Sequence, residues 1–157
     1  MKTLQIDETK ARILYKTASP EFKQSLEDTF GKKYFTGEIT DRIKTYEDAC
    51  AELCETPINE KDLKANGFTV VEIIRRKLET ITKALNEDWK ADLYDTDQYK
   101  YYGWFNLSSG GFVFRRTDYD STYANAGVGS RLCFKSSVLA EYAGKQFIDY
   151  YKIIAEN

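Results

Sequence analysis

The period of the hydrophobic pattern changes once along this chain, after about residue 89, and this change restricts the folds available to it. In residues 70–85 apolar side chains recur with the 3.6-residue period of an amphipathic helix. In residues 99–107 two rows of side chains alternate with the period of two that is typical of a strand. Helices followed by a small sheet predict an α+β fold.

The N-terminal helices are predicted over residues 19–88. Ser19 followed by Pro20 is a favourable helix start, because serine caps the first amides and proline suits the first turn. Thr69 with Glu72 three residues later is the pattern of a capping box for the longest helix. No linker-like stretch and no repeat interrupts the chain, so we expect a single α+β domain over residues 1–157.

A small antiparallel sheet of about three strands is predicted over residues 98–136. The Ser-Ser-Gly-Gly sequence of residues 108–111 favours a hairpin turn, because glycine supplies the positive φ that tight turns need. The returning strand is predicted over residues 112–116 and a third strand over residues 131–135. An amphipathic C-terminal helix is expected over residues 137–155, packed on the sheet.

The composition excludes several kinds of site. The chain has no histidine, which removes His-based catalytic triads and nearly all catalytic zinc sites. Its three cysteines, Cys50, Cys54 and Cys133, contain no CxxC pair, although Cys50 and Cys54 are four apart on one predicted helix. We therefore expect no disulfide framework, no metal site and no cofactor.

The chain shows no sign of a membrane segment. No run approaches the roughly 18 apolar residues that a membrane span needs, and the first ten residues are polar rather than signal-like. We therefore expect a cytoplasmic protein. The net charge of −2 produces no overall field that would attract nucleic acid or an anionic membrane.

Aromatic residues are concentrated in residues 89–123, which hold 11 of the 23 aromatic side chains. One row of the hairpin must pack on the core, so the other row, Tyr102 and Trp104 with Arg115 opposite, is the candidate surface. Stacking rings beside cations also suit single-stranded nucleic acid, but the charge and the lack of an RNA-binding signature favour a protein partner. The predicted partner-binding residues are Tyr102, Trp104, Arg115, Arg116 and Tyr119.

Two weaker patterns point to other chemistry. Gly127, Gly129 and Arg131 could form a nest of backbone amides that holds an anion, although a turn feeding the third strand explains the glycines equally. Asp118 and Asp120 could bind Mg²⁺ or Ca²⁺ in a His-free enzyme, although a solvated acidic loop accounts for them as well.

Four segments resemble one group of proteins. They are Tyr-Lys-Tyr-Tyr-Gly-Trp-Phe (99–105), Gly-Ser-Arg-Leu-Cys-Phe-Lys-Ser (129–136), Leu-Ala-Glu-Tyr-Ala-Gly-Lys-Gln-Phe (139–147) and Ala-Leu-Asn-Glu-Asp-Trp (84–89). Together, over about residues 40–155, they are similar to uncharacterised small proteins of Bacteroides-type gut bacteria and their phages and prophages. That family has no assigned activity, so the resemblance implies a setting, a bacterial cytoplasm or a virion, and no catalytic residues.

The function expected from these patterns is a non-enzymatic phage or mobile-element accessory protein that binds a protein partner through the aromatic and basic hairpin. Three alternatives remain open at this point. The first is an oligomeric structural protein of the virion type, in which the same patch packs against identical subunits. The others are a single-stranded nucleic-acid binder and a metal-dependent enzyme that uses Asp118 or Asp120.

Overall fold

The computed structural model describes residues 6–122 and 131–157, and within these ranges it has the predicted α+β class. Helices precede and follow one antiparallel hairpin. The chain divides into two compact units, one ending at Pro57 and the other beginning at Ile58. None of the helices in the described ranges is long and apolar enough to cross a membrane.

The described part of the first unit consists of five helices and the segments that connect them. Its elements are α1 (Glu8–Thr17), α2 (Pro20–Phe30), α3 (Lys32–Thr36), α4 (Ile39–Arg42) and α5 (Tyr46–Leu53). The helical part thus begins at Glu8 and not at residue 19, because Asp7 caps a helix there by accepting a hydrogen bond from the Lys10 amide. Ala11, Leu26 and Phe35 form its core, with the Tyr15 ring stacked 4.3 Å from that of Phe35.

Cys50 and Cys54 do not share a helix face. Helix α5 ends at Leu53, and Cys54 follows in the left-handed conformation with φ 56°. Cys50 is buried and Cys54 is exposed, and neither forms a disulfide. The prediction that one helix carries both cysteines was wrong, because α5 ends at Leu53.

The second unit contains the longest helix and the hairpin. Its elements are α6 (Glu60–Ala65), α7 (Val70–Asn86), β1 (Lys100–Ser108), β2 (Gly111–Asp120), α8 (Ser137–Gln146) and α9 (Ile148–Glu156). The capping box predicted for α7 is confirmed: the Thr69 hydroxyl accepts from the Glu72 amide and the Glu72 carboxylate accepts from the Thr69 amide. The apolar stripe of α7 is buried.

The sheet has two strands in the described residues, so the prediction of a third strand over 131–135 was wrong. Phe134 makes a single bridge to Tyr101, with N···O distances of 3.0 and 2.8 Å. The backbone on either side of Phe134 is bound elsewhere, because the Asn86 amide donates to the Cys133 carbonyl at 2.8 Å and accepts from the Lys135 amide at 3.0 Å. These groups point away from β1, because Phe134 uses its own N–H and C=O for the bridge. The ladder ends on the C-terminal side because Ser136 is already the N-cap of α8, and its carbonyl accepts from the Ala140 amide at 3.2 Å.

The C-terminal helix packs on the sheet as predicted, but it is broken into α8 and α9 at Phe147. Phe147 is buried with φ −111° and ψ 30°, which turns the chain. The break allows Tyr151 of α9 to stack 4.8 Å from the Phe105 ring. Helix α8 approaches the sheet at Gly144, where a Cβ atom would lie 2.5 Å from Phe114 Cδ2.

Candidate functional site

The two faces of the hairpin differ in what covers them. Phe105 and Phe114 pair across the strands on the face toward α8, where both rings adjoin Gly144. Trp104 directly precedes Phe105 and pairs with Arg116. Because neighbouring residues of a strand point to opposite faces, the side chains of Trp104 and Arg116 lie on the face opposite Phe105. The row that the sequence selected is therefore the one turned away from α8.

Tyr119 is not on the same face as the other predicted residues. It pairs with Tyr101, and its ring lies 5.7 Å from that of Tyr101 and 4.8 Å from that of Tyr99. These three tyrosines form a separate cluster on the α8 side of the hairpin. The structure thus brings together Tyr102, Trp104, Arg115 and Arg116 and leaves Tyr119 apart from them.

A β-bulge places two arginines beside the exposed indole. The register shifts between Trp104 and the residue after it, so Arg115 is the extra residue on β2. Arg115 Nη1 donates to Asn106 Oδ1 at 3.4 Å, and Arg116 Nη2 lies 3.3 Å from Asp118 Oδ2. A small hollow of about 240 Å³ lies between the indole and the two guanidinium groups. This end of the face is basic.

The two carboxylates proposed for metal binding are engaged with donors. Asp120 Oδ2 accepts a hydrogen bond from the Tyr102 hydroxyl at 3.0 Å, and Asp118 pairs with Arg116. Burial and the neighbouring Asp120 carboxylate raise the pKa of Tyr102 to about 12. Within residues 6–122 and 131–157 no three side chains of ligand type gather around one point.

Among the described residues, nothing pairs with the outer edge of β1 past Tyr101. In an antiparallel pair, residues alternate between exchanging two backbone hydrogen bonds and exchanging none. Tyr101 gives both of its backbone groups to Phe134, so it points away from β2. The same alternation turns the N–H and C=O groups of Gly103, Phe105 and Leu107 outward. Outside the hairpin these three residues make no backbone hydrogen bond within the described chain.

An apolar groove adjoins this open edge. It has a volume of about 260 Å³ and lies between β1 and α9, with Leu132 at one end. Phe105 and Leu107 contribute from the strand, and Tyr151 and Ile154 from the helix. Leu107 is 64% exposed and Trp104 beside it is 45% exposed. The groove and the open edge therefore form one continuous surface, which we call the β1 edge groove.

The sequence could not have indicated the β1 edge groove. The expected third strand over residues 131–135 would have covered the edge, and nothing in residues 148–156 shows that α9 turns back to form the second wall. Only the alternation of Phe105 and Leu107 with Trp104 was visible as a signal.

The predicted anion nest is seen in part. Gly127 and Gly129 lie outside the described residues. Arg131 is exposed, and its Nη1 lies 3.6 Å from Glu79 Oε2 on α7. The Arg131 side chain therefore contacts α7.

Comparisons of the chain with family models, curated proteins and solved structures find no match. What the site can do is therefore inferred from its own residues.

Proposed function

We propose that this protein is a non-enzymatic binding module that takes an extended segment of a protein partner into the β1 edge groove. The segments similar to Bacteroides-type phage and prophage proteins suggest a phage or mobile-element accessory protein, acting in a bacterial cytoplasm or as part of a virion. Two-stranded sheets with an open edge readily accept a further strand, because the partner satisfies the outward backbone groups.

The open edge beside an apolar groove is the observation that carries this proposal. An added strand would meet the backbone groups of Gly103, Phe105 and Leu107, while its alternate side chains enter the groove against Tyr151 and Ile154. Each buried aliphatic side chain contributes about 1.5–3 kcal/mol, and each backbone hydrogen bond about 0.5–1.5 kcal/mol.

The charge of the surface selects an acidic segment. Arg115 and Arg116 are adjacent at the bulge, and of the carboxylates near them Asp118 is the one paired with Arg116. The side chains of the incoming strand that point away from the groove would pass near this pair. A partner with alternating apolar and acidic residues fits both features.

The experiment measures fluorescence anisotropy with a labelled nine-residue peptide that alternates valine with glutamate. A peptide of the same composition in scrambled order and one with lysine in place of glutamate are the comparison ligands. We expect saturable binding of the alternating acidic peptide and at least tenfold weaker binding of the other two. Equal binding of all three, or none, would refute the proposal.

Three variants distinguish backbone pairing at the edge of β1, attraction by the two arginines and nonspecific hydrophobic binding. Leu107→Pro removes an outward N–H without touching the bonds to β2, and should weaken binding at least tenfold. Arg115→Gln with Arg116→Gln should weaken it severalfold and remove its dependence on salt. Val138→Ser changes an exposed apolar residue of α8 and should leave binding unchanged.

The same edge also fits a second copy of this chain, which is the structural alternative. Light scattering over a range of concentrations tests it, because edge-to-edge pairing gives a dimer that Leu107→Pro abolishes. Such a dimer, without peptide binding, would replace the proposed function. A 260 nm absorbance that salt removes would instead favour single-stranded nucleic acid on Trp104 and the two arginines.

A further inference from the structure

A second cleft in the unit that follows Pro57 has a different chemistry from the β1 edge groove. It has a volume of about 610 Å³, within the range of small-molecule sites, and lies along one face of α7. The face is formed by Arg76, Glu79 and Lys83, which recur at helical spacing. Trp89 and Lys90, just after the helix, form the adjoining wall, and Arg131 lies across from Glu79.

The cleft is strongly cationic although the chain is acidic. Four cationic side chains and one carboxylate line it, while the whole chain has a net charge of −2. The carbonyl end of α7 at Asn86 carries a partial negative charge of about half a unit, which the excess of cations outweighs. The local field therefore attracts an anion.

Two of the cations have partners at the edge of the cleft. The Arg76 guanidinium lies 4.7 Å from the centre of the Phe68 ring, and Arg131 Nη1 lies 3.6 Å from Glu79 Oε2. Both side chains are exposed, and guanidinium groups bind phosphate or carboxylate through two parallel hydrogen bonds.

One buried hydroxyl in the cleft lacks a partner. Thr82 is 2% exposed and lines the cleft, and its Oγ1 has no hydrogen-bond partner in the part of the chain that the structure describes. Because this atom is fully buried, a ligand in the cleft would bind to the cations and the indole and would not contact it. Asn86 beside it is fully used, since it binds Cys133 and Lys135 and makes the floor rigid.

An apolar wall completes the cleft. Trp89 is half-buried there, with Ile58 and Ala91 nearby. An indole face beside aliphatic carbons suits a flat ring, which stacks on it. We infer that this cleft binds a small organic anion in which a flat ring is joined to a phosphate through a short linker, as the base is joined through ribose in a nucleoside monophosphate. This site is independent of the proposed peptide binding, because it shares no lining residue with the β1 edge groove.

The test uses the indole as its own reporter. The chain has two tryptophans, so Trp104→Phe leaves Trp89 as the single indole. Adenosine monophosphate is titrated while Trp89 fluorescence is recorded, with adenosine and inorganic phosphate as separate probes. We expect adenosine monophosphate to quench the Trp89 fluorescence saturably, with a Kd of about 1 mM or tighter. Adenosine alone and inorganic phosphate alone should each bind at least tenfold more weakly. An absence of saturable quenching would overturn the inference, as would full binding by phosphate alone.

Single substitutions test whether the ligand binds in this cleft. Arg76→Gln and Arg131→Gln each change an exposed side chain, so circular dichroism should confirm folded variants, and each should weaken binding about tenfold. Lys152→Gln on α9 is the matched control, an exposed cation outside the cleft, and should have no effect. Leu107→Pro should also leave this binding unchanged. If neither arginine variant weakens binding, the cleft is not the site.

Discussion

Replacing Gly144 with alanine tests whether the contact between α8 and the hairpin is as close as the structure shows. A Cβ atom at this position would lie 2.5 Å from Phe114 Cδ2, 2.7 Å from Phe114 Cε2 and 3.5 Å from Phe105 Cζ. Carbon atoms pack without strain at about 3.5–4.0 Å, so the helix or the ring must move by about 1 Å.

The expected destabilisation follows from two opposing effects. Overpacking of this kind costs about 1–3 kcal/mol, and a movement of about 1 Å between the buried Gly144 and the half-buried Phe114 ring places Gly144→Ala near the upper end. Alanine recovers about 0.8–1.0 kcal/mol through its higher helix propensity. The net result is a loss of about 2 kcal/mol in the free energy of unfolding of this unit.

The assay is urea unfolding followed by tryptophan fluorescence. Both tryptophans, Trp89 and Trp104, lie in the unit that begins at Ile58 and contains Gly144, so the signal reports on the relevant part of the chain. A double-mutant cycle with Phe114→Ala, which removes both clashing ring atoms, isolates the contact. We expect Gly144→Ala to cost at least 1 kcal/mol less in that background than in the wild type.

Two results would refute the reasoning. A Gly144→Ala variant as stable as the wild type, or more stable, would mean that helix propensity decides at this position and that α8 lies farther from the sheet. Additive effects of the two substitutions, within about 0.5 kcal/mol, would show that the loss does not come from Phe114.

Three further outcomes are expected. Asn86→Ala should lower the free energy of unfolding by about 2 kcal/mol in urea titration, because two backbone groups lose their buried partner. One thiol in three should react with Ellman's reagent in the native protein, since Cys54 is exposed while Cys50 and Cys133 are buried and burial raises the pKa of Cys133 to about 11. The pKa of Tyr102 is raised to about 12, so the folded state holds the hydroxyl proton more tightly than the unfolded state does. The resulting contribution of Tyr102 to the free energy of unfolding should be complete below pH 10 and should be lost as the pH rises through about 12. Urea unfolding at several alkaline pH values measures this loss.

Helix starts and the hairpin were visible in the sequence because they depend on neighbouring residues. The caps at Ser19, Thr69 and Ser136 bond amides three residues ahead, and the glycines of the turn meet local backbone demands. Helix α1 was missed, although Asp7 with Lys10 three residues on is a capping signal of the same kind.

Two predictions at the C-terminal end were wrong for different reasons. The third strand is only a single bridge because Ser136, two residues after Phe134, caps α8 and gives its carbonyl to the Ala140 amide. The single C-terminal helix is broken because Phe147 is drawn into the core. The first limit is local, whereas the second is a tertiary contact that outweighs a correct local preference.

Some features of the candidate surface also follow from the sequence alone, and others depend on the tertiary structure. The alternation of Tyr102 and Trp104 with Phe105 follows from the two-residue period of a strand, so the sequence determined which side chains share a face. Which face is covered was decided by Gly144 of α8, and the bulge that sets Arg115 beside Arg116 was decided by the register of the two strands. Among the described residues outside the hairpin only Phe134 pairs with β1, because the chain turns into α8 at Ser136. The alternation of side chains along a strand is a property of the local backbone geometry. Which face of the hairpin a helix covers, and which segment pairs with a strand, depends on contacts between residues that are distant in the sequence.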